Sequence, residues 1–454
     1  MKVARYTAII LGLVIAFSCQ KNSGHPPMII LISLDTVRAD HLSGYGYHRA
    51  TTPGIDQVAK ESVTFSQAFT PMPNTLPAHL SLFSSRYPRD HKVLSNSWRL
   101  VEKLPFLSTA LAQAGYKTGG FIGSAILDRD TGMAAGFDFY DDDFEHYSQK
   151  VQGRNNTLYR KTAAEVVDRA IQWVTKQKRS KPLFLFLHFY DAHPNYNVLP
   201  SAYKQMFPTD VALAQIMQER NQKKQLAEHI DFYDGGLRYI DDSLQKLWTF
   251  LKAEQRYEQA LIVIAADHGE GLGEHNYLSH GLKLYEEQMH IPLIIRFPGG
   301  ANAGRIEELV TLLDVAPTIL DFSGLPALPG QRGQSLLNLI QKNEKLNRPY
   351  VYYERKWCAA EAKMNEKNWE PGERFGVRSE RFSYIWHSQF PAELYDIRND
   401  PHELHDIVTA QPGEVAQLHQ ALTQYWEMIR KATLIPPKLK ESTRQKLKSL
   451  GYMQ

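Results

Sequence analysis

The chain reads as an α/β protein: a large, mostly parallel sheet sandwiched by helices, followed by a small antiparallel sheet with one helix. Three apolar runs carry the first part, MIILISLD (28–35), PLFLFLHFYDAH (182–193) and ALIVIAADHGE (260–270). None alternates, and β-branched or aromatic residues fill them, as expected of strands buried on both faces. Helical patterns lie between them, and strands alternating with helices imply parallel crossovers. The second part rests on a change of texture after about residue 340, where short alternating or aromatic runs replace the long apolar ones.

The first 24 residues are MKVARYTAIILGLVIAFSCQKNSG. Lys2 and Arg5 make a basic start, and the apolar run Tyr6–Phe17 is too short to span a bilayer comfortably. It matches the apolar region of a secretory signal peptide. AFSC resembles the lipobox of bacterial lipoproteins, which implies cleavage after residue 18 and lipid attachment to Cys19. Residues 19–27 then form a polar tether, and the mature protein is expected on an outward-facing bacterial membrane. Gln20 leans that toward the outer membrane and the periplasm. Cys19 and Cys358 are the two cysteines, so no disulfide framework exists.

Residues 28–343 are expected to form one large domain. After its first strand comes TPMPNTLPAHLSLFSS (70–85). Pro suits a helix start, and Leu80, Leu82 and Phe83 give the helix something to bury. Thr75 is therefore expected just before a helix N-terminus, where backbone N–H groups favour an anion. Further helices are expected over Ser108–Ala114, ended by Gly115, and over Thr162–Gln177. Another covers Leu226–Leu251, with Leu237, Ile240, Leu244 and Leu247 on one face. Residues 344–435 contain RPYVYYER, RFGVRSERFSYIWH and AELYDIRND, read as antiparallel strands, then a helix over Glu414–Lys431. Residues 436–454 read as a basic tail.

All three long strands end in side chains that bind metals or move protons: Asp35; then His188, Asp191 and His193; then Asp267-His268. Ligands of such sheets bind outside the carboxyl ends of the strands. Asp35, Asp267 and His268 offer oxygen and nitrogen donors for one divalent cation. GEGLG (269–273) resembles a phosphate loop but lacks the basic residue and glycine spacing that nucleotide binding needs. Net charge is +3, from 52 basic and 49 acidic residues, which leaves no nucleic-acid footprint. The clusters Lys176–Lys181 and Arg220–Lys224 read as solvated helix faces or ends.

Taken together these blocks resemble the sulfatase family of the alkaline phosphatase superfamily. The resemblance runs through ILISLDTVRADHLSGYGYHRATTPGIDQVAKESVTFSQAF, TLPAHLSLFSSRYPRDH, FLFLHFYDAHPNY, YDGGLRYIDDSL, AADHGEGLGEH, SHGLKLYEEQMHIPLII, LLDVAPTILDFSGLP and FGVRSERFSYIW…ELYDIRNDPHELHD. It implies that Asp35, Asp267, His268 and Thr75 hold one divalent cation, and that Thr75 stands at the nucleophile position. Calcium, magnesium, manganese and zinc all suit the residue types, and His268 leans toward a transition metal. The resemblance also implies that His193 and His280 contact the transferred group or protonate the leaving oxygen. Asn96 and Lys283 are implied as substrate contacts, and Arg38 as an anion contact or a brace for the nucleophile loop. His275 reads as exposed or structural, His188 as packed.

Three departures stand out. The formylglycine motif Cys/Ser-x-Pro-x-Arg reads Thr75-x-Pro77-x-His79 here, and oxidation of a secondary alcohol cannot give the aldehyde. No formylglycine is therefore expected. The usual paired Asp is Asp35-Thr36, which removes one anionic ligand. The Gly-Lys-Trp-His block reads IGSA (122–125), without its substrate-binding Lys and His. Whole-chain similarity implies a hydrolase of sulfate-type esters. Thr75 chemistry suits a phosphodiester or phosphonate hydrolase, or a phosphoalcohol transferase working through phospho-threonine. An anion- or glycan-binding protein without catalysis is the third reading, and the intact metal set argues against it. The substrate class is a small-molecule, glycan or lipid ester, chosen by the loops at 140–160 and 195–225.

Overall fold

A computed structural model describes residues 27–145, 149–150, 157–208, 225–355, 371–429 and 439–452. The leader, Cys19, Cys358 and parts of the loops at 140–160 and 195–225 lie outside the described residues. The strands are β1 (Met28–Leu34), β2 (Val63–Phe69), β3 (Lys117–Ile122), β4 (Phe139–Asp141), β5 (Gln149–Lys150), β6 (Thr157–Leu158), β7 (Leu183–Phe189), β8 (Ala260–Ala266), β9 (His290–Arg296) and β10 (Gly304–Thr311). Then follow β11 (Val351–Arg355), β12 (Arg374–Arg378), β13 (Phe382–His387) and β14 (Glu393–Asp396). Eight of them make one sheet in the order β10-β2-β9-β8-β1-β7-β3-β4. Its pairings are parallel except around β9, which runs antiparallel to β2 and β8.

The three apolar runs are the neighbouring central strands β8, β1 and β7, and every residue in them is buried. They need no alternation because helices cover both faces. Phe186 meets Phe83 of the helix Thr75–Ser84, ring centroids 4.9 Å apart, on one face. Phe121, in register with Leu187, meets Trp173 of the helix Ala163–Thr175 on the other. That second helix starts at a capping box between Thr162 and Glu165. Gln225–Ala253 forms the longest helix among those described, and it buries Leu237, Ile240, Leu244 and Leu247 as its pattern requires.

Register sets up the site. Leu34 pairs with Phe189 on one side and Ala266 on the other, all parallel. The next residues, Asp35, Tyr190 and Asp267, therefore leave the sheet at one level on one edge. The carboxyl-terminal part is a four-stranded antiparallel sheet, β11-β12-β13-β14. The helix Pro412–Ile429 packs Leu418, Leu422 and Tyr425 against Phe375, Val377 and Tyr384 of that sheet.

Two local details differ from expectation. Asn74 is the cap residue and Thr75 the first residue of its helix, because Asn74 keeps extended dihedrals (φ −141°, ψ 133°). The last segment is more than a basic tail: Glu441–Ser449 is a helix, and Leu439, Leu447 and Leu450 join the main core. Among the described residues, no helix is long and apolar enough to cross a membrane.

Candidate active site at the strand ends

Asp35, Asp267 and His268 are fully buried and offer ligand atoms within 4.8 Å of one another. His268 Nδ1 faces the Gly269 carbonyl at 2.8 Å, so Nδ1 carries the proton and Nε2 keeps a free lone pair. Asp35 Oδ1 and Asp267 Oδ2 are buried without a hydrogen-bond partner. Burial pushes Asp35 up to about 7, with His268 opposing, and burial also raises Asp267. Two crowded carboxylates with orphaned oxygens and a prepared imidazole fit a divalent cation, which would offset their desolvation.

Several residues hold this cluster. His188 Nε2 bonds Asp35 Oδ2 at 3.0 Å; read as merely packed, it also orients a ligand candidate. The Thr36 N–H donates to Asp267 Oδ1 at 3.2 Å. Thr36 sits at φ 60°, a costly left-handed conformation for a β-branched residue, on the order of 1–3 kcal/mol. Tyr233 pins that turn by donating its hydroxyl to the Thr36 carbonyl at 2.9 Å. Gly269 permits the following loop to pass close, since a Cβ there would lie 2.1 Å from the Glu287 carbonyl. The glycines of GEGLG thus serve close packing, and the Gly271 and Gly273 N–H groups are spent on Ser279 and Tyr277 carbonyls.

Thr75 is fully buried, with Oγ1 3.3 Å from His268 Nε2. His79, in place of the motif's Arg, bonds the Thr75 carbonyl at 2.7 Å and the Ser33 hydroxyl at 2.8 Å. It braces the first helical turn from within the core, and burial pushes its ring down to about 3. Two of the helix N–H groups expected to face an anion are already spent. The Leu76 N–H goes to Asn96 Oδ1 at 2.8 Å, Pro77 has none, and the Ala78 N–H goes to the Asn74 carbonyl. Asn96 Nδ2 is a further donor there, buried and unpartnered.

His193 and His280 come together, ring centroids 5.1 Å apart, and His280 lies 4.6 Å from His268. His280 Nδ1 bonds Glu270 at 3.0 Å, a partner the sequence reading missed. The only signal for Glu270 was its place three residues after Asp267. Burial pushes Glu270 up to about 8 and His280 down to about 4. Burial, reinforced by His280, lowers His193 well below its usual range.

Arg38 does not present a guanidinium for an anion. Nε and Nη2 go to Asp40, while Nη1 goes to Glu274 and the Glu270 carbonyl. Four of its five N–H groups are thereby spent, so it does not serve an anion, and the loop it braces is the one at 270–274 and not the nucleophile loop. Lys283 is buried near Arg374, Glu393 and Arg355 of the small sheet, and burial lowers it to about 8.

Arg160 was missed altogether. It bridges to Ser124, inside the IGSA block that lacks the family's Lys and His. Its guanidinium is 1% exposed; Nη2 donates to the Tyr190 carbonyl at 3.0 Å, and Nε and Nη1 have no partner. Its charge is felt at both Asp35 and His193. No local pattern announces it, because its neighbour in space is 36 residues away in sequence.

The family model Sulfatase matches residues 27–325, and the model for the carboxyl-terminal part of N-sulphoglucosamine sulphohydrolase matches residues 273–432. An arylsulfatase of Clostridium perfringens is 22% identical, over 85% of this chain and 91% of its own length. A protein solved with its substrate D-glucosamine-2-N,6-O-disulfate superposes with TM-score 0.74 at 19% identity, covering 90% of this chain and 99% of that one. The phosphonate monoester hydrolase of Agrobacterium radiobacter superposes with TM-score 0.68 at 21% identity, covering 89% and 95%. With two thirds of its length matched by that family model, the chain belongs to the sulfatase family, as a hydrolase of the sulfuric ester type.

Proposed function

We propose that the protein is a metal-dependent hydrolase of sulfate-type esters that uses the unmodified hydroxyl of Thr75 as nucleophile. The observation that carries this reading is the Thr75 hydroxyl, 3.3 Å from His268 Nε2 within the buried Asp35, Asp267 and His268 cluster. A divalent cation bound there would lower the pKa of that hydroxyl and offset negative charge on the transferred group. Thr75 loses its hydroxyl proton to solvent, Oγ1 forms a bond to sulfur, and the bond from sulfur to the leaving oxygen breaks. That oxygen keeps the electron pair and takes a proton from Nε2 of His280, with the His193 ring packed beside it. Glu270, pushed up to about 8, donates to Nδ1, which leaves the His280 proton on Nε2, and its own proton can replace the one given up. Asn96 Nδ2 and the free Nε and Nη1 of Arg160 supply donors for the anionic oxygens, in place of the lost Lys and His. Water then hydrolyses the Thr75 ester.

Thr75 itself favours a second reading. A phosphodiester or phosphonate monoester carries the same single charge and tetrahedral centre as a sulfate ester, and would pass through phospho-threonine. Assays with 4-nitrophenyl sulfate, bis(4-nitrophenyl) phosphate and 4-nitrophenyl phenylphosphonate separate the two. Thr75→Ala is expected to lower kcat by roughly 10³-fold or more, and Thr75→Ser to keep much of it. Full activity of Thr75→Ala would refute the nucleophile assignment. Mass spectrometry of the purified protein should find Thr75 unmodified.

We also propose a surface location, on the motif AFSC: the mature chain is anchored through acylated Cys19 on an outward-facing bacterial membrane. Cys19→Ala should move the protein to the soluble fraction, and its retention in membranes would refute the anchor.

A further inference from the structure

Three residues from the end of the chain, Tyr452 reaches the candidate active site. Its hydroxyl lies 2.5 Å from His193 Nε2, 3.4 Å from His280 Nε2 and 3.4 Å from the Tyr190 hydroxyl. The approach is built. After the helix Glu441–Ser449, Gly451 turns the chain at φ 89°. The Tyr452 N–H bonds the Leu447 carbonyl at 3.0 Å and the Gly451 N–H bonds the Lys448 carbonyl at 3.1 Å. Those paired bonds are a Schellman cap, which needs the left-handed residue that glycine supplies. The helix is clamped beside the site as well. Lys446 pairs with Asp128 at 2.7 Å, Thr443 bonds Asp130 at 3.0 Å, and Lys440 pairs with Asp130. Leu447 and Leu450 are buried beneath it.

The hydrogen bonds have a definite sense. His193 Nδ1 faces the Pro194 carbonyl at 3.1 Å, so it holds the proton and Nε2 accepts from the Tyr452 hydroxyl. The phenol oxygen is then free to accept from Nε2–H of His280, whose other nitrogen is on Glu270. One hydroxyl thus ties the two imidazoles on the leaving-group side into a single chain. We propose that Tyr452 is a positioning residue of the active site, fixing His193 and with it the place of His280, whose Nε2–H it shares with the leaving oxygen, and that the carboxyl-terminal helix is an integral wall of that site. The proposal rests on the hydrolase reading above, and specifies what completes its leaving-group side.

The test compares wild type with Tyr452→Phe and Gly451→Val on two esters of the same acid, one with a 4-nitrophenoxide leaving group and one with a simple alkoxide. Only the alkoxide needs its proton during bond breaking. Tyr452→Phe should lower kcat about 30-fold on the alkyl ester and less than about 3-fold on the nitrophenyl ester, with KM unchanged. Gly451→Val should reproduce that selective loss. ¹⁵N spectra of histidine-labelled protein should show the His193 Nε2 signal move in Tyr452→Phe, while the melting temperature stays put. Equal losses on both esters, no loss, or activity that rises when residues 439–454 are deleted would overturn the positioning role. A wild type that turns over neither ester would instead bring down the hydrolase reading, and this inference with it.

Discussion

Two charged regions flank the loop that runs from Asp267 to Glu287, and they differ in how their polar atoms are satisfied. The first is a cleft lined by Arg38, Asp40, Glu286, His290, Arg305 and Arg378. Several of its polar groups are paired: Arg38 with Asp40 and Glu274, Arg378 with Glu286 at 3.0 Å, His290 with the Ser66 carbonyl at 2.8 Å. The second is the strand-end cluster around Thr75. There Asp35 Oδ1, Asp267 Oδ2, Glu270 Oε1, Asn96 Nδ2 and two nitrogens of Arg160 are buried without partners. Orphaned buried polar groups cost about 1–3 kcal/mol each, so a fold keeps a set of them only where something else completes it. The cleft keeps one such atom, Gln67 Oε1. The concentration of orphaned atoms is why we propose the strand-end cluster, rather than the cleft, as the place for a cation and an anionic ester.

The largest effect that would break this contrast comes from the cation. Chelation, or the double replacement Asp267→Asn with His268→Ala, should abolish turnover and metal retention together, read by kinetics and by metal analysis of the purified protein. Metal should also raise the melting temperature of the wild type, since a ligand of the folded state stabilises it. Turnover that survives with no metal bound would show that the orphaned carboxylates have another purpose.

Arg160 tests the anion half. In metal-loaded protein, Arg160→Met should weaken binding of inorganic sulfate or vanadate roughly 10- to 100-fold, the worth of a charge-assisted hydrogen bond, by calorimetry. Unchanged binding would make Arg160 a brace for Tyr190 and a partner for the buried Asp191, 3.7 Å away. Arg38→Met should do the reverse. It should leave KM alone and cost about 2 kcal/mol of stability, less than a fully buried pair because Asp40 is half exposed. A raised KM would restore Arg38 to the substrate.

The smallest expected effect is a pH dependence at the join between the cleft and the small sheet. His275 stacks on Tyr285 at 3.6 Å, bonds Glu287 at 3.0 Å and faces the Glu403 carbonyl at 3.0 Å. Burial works against its charge, but the Glu287 bond and charge outweigh it, and its pKa is raised above 6.5. A raised folded-state pKa gives stability that is complete below the unfolded value and is lost as pH rises through the folded one. Melting temperatures of wild type and His275→Gln should therefore diverge in acid and converge in mild alkali.

The sequence alone determined a good deal here. Short apolar runs rich in β-branched and aromatic residues suit strands covered on both sides, so β1, β7 and β8, and the side chains that end them, were legible from local pattern. The carboxyl-terminal strands and helix were legible for the same reason, since alternation is a property of neighbours in the chain. Thr75 could be read against a family motif, and the expectation that it stays unmodified follows from the chemistry of a secondary alcohol. What only tertiary structure decided are the partners brought together across long loops. Asp40 and Glu274 turned Arg38 into a brace. Asn96 took the Leu76 N–H, one of the donors expected at the helix end. Arg160 came to the emptied block at 124, and Tyr452 came 259 residues back to His193. Hydrogen bonding is directional and short-ranged, so whether a donor is spent or free depends on which atoms packing sets within about 3 Å of it, and no one-dimensional pattern carries that information.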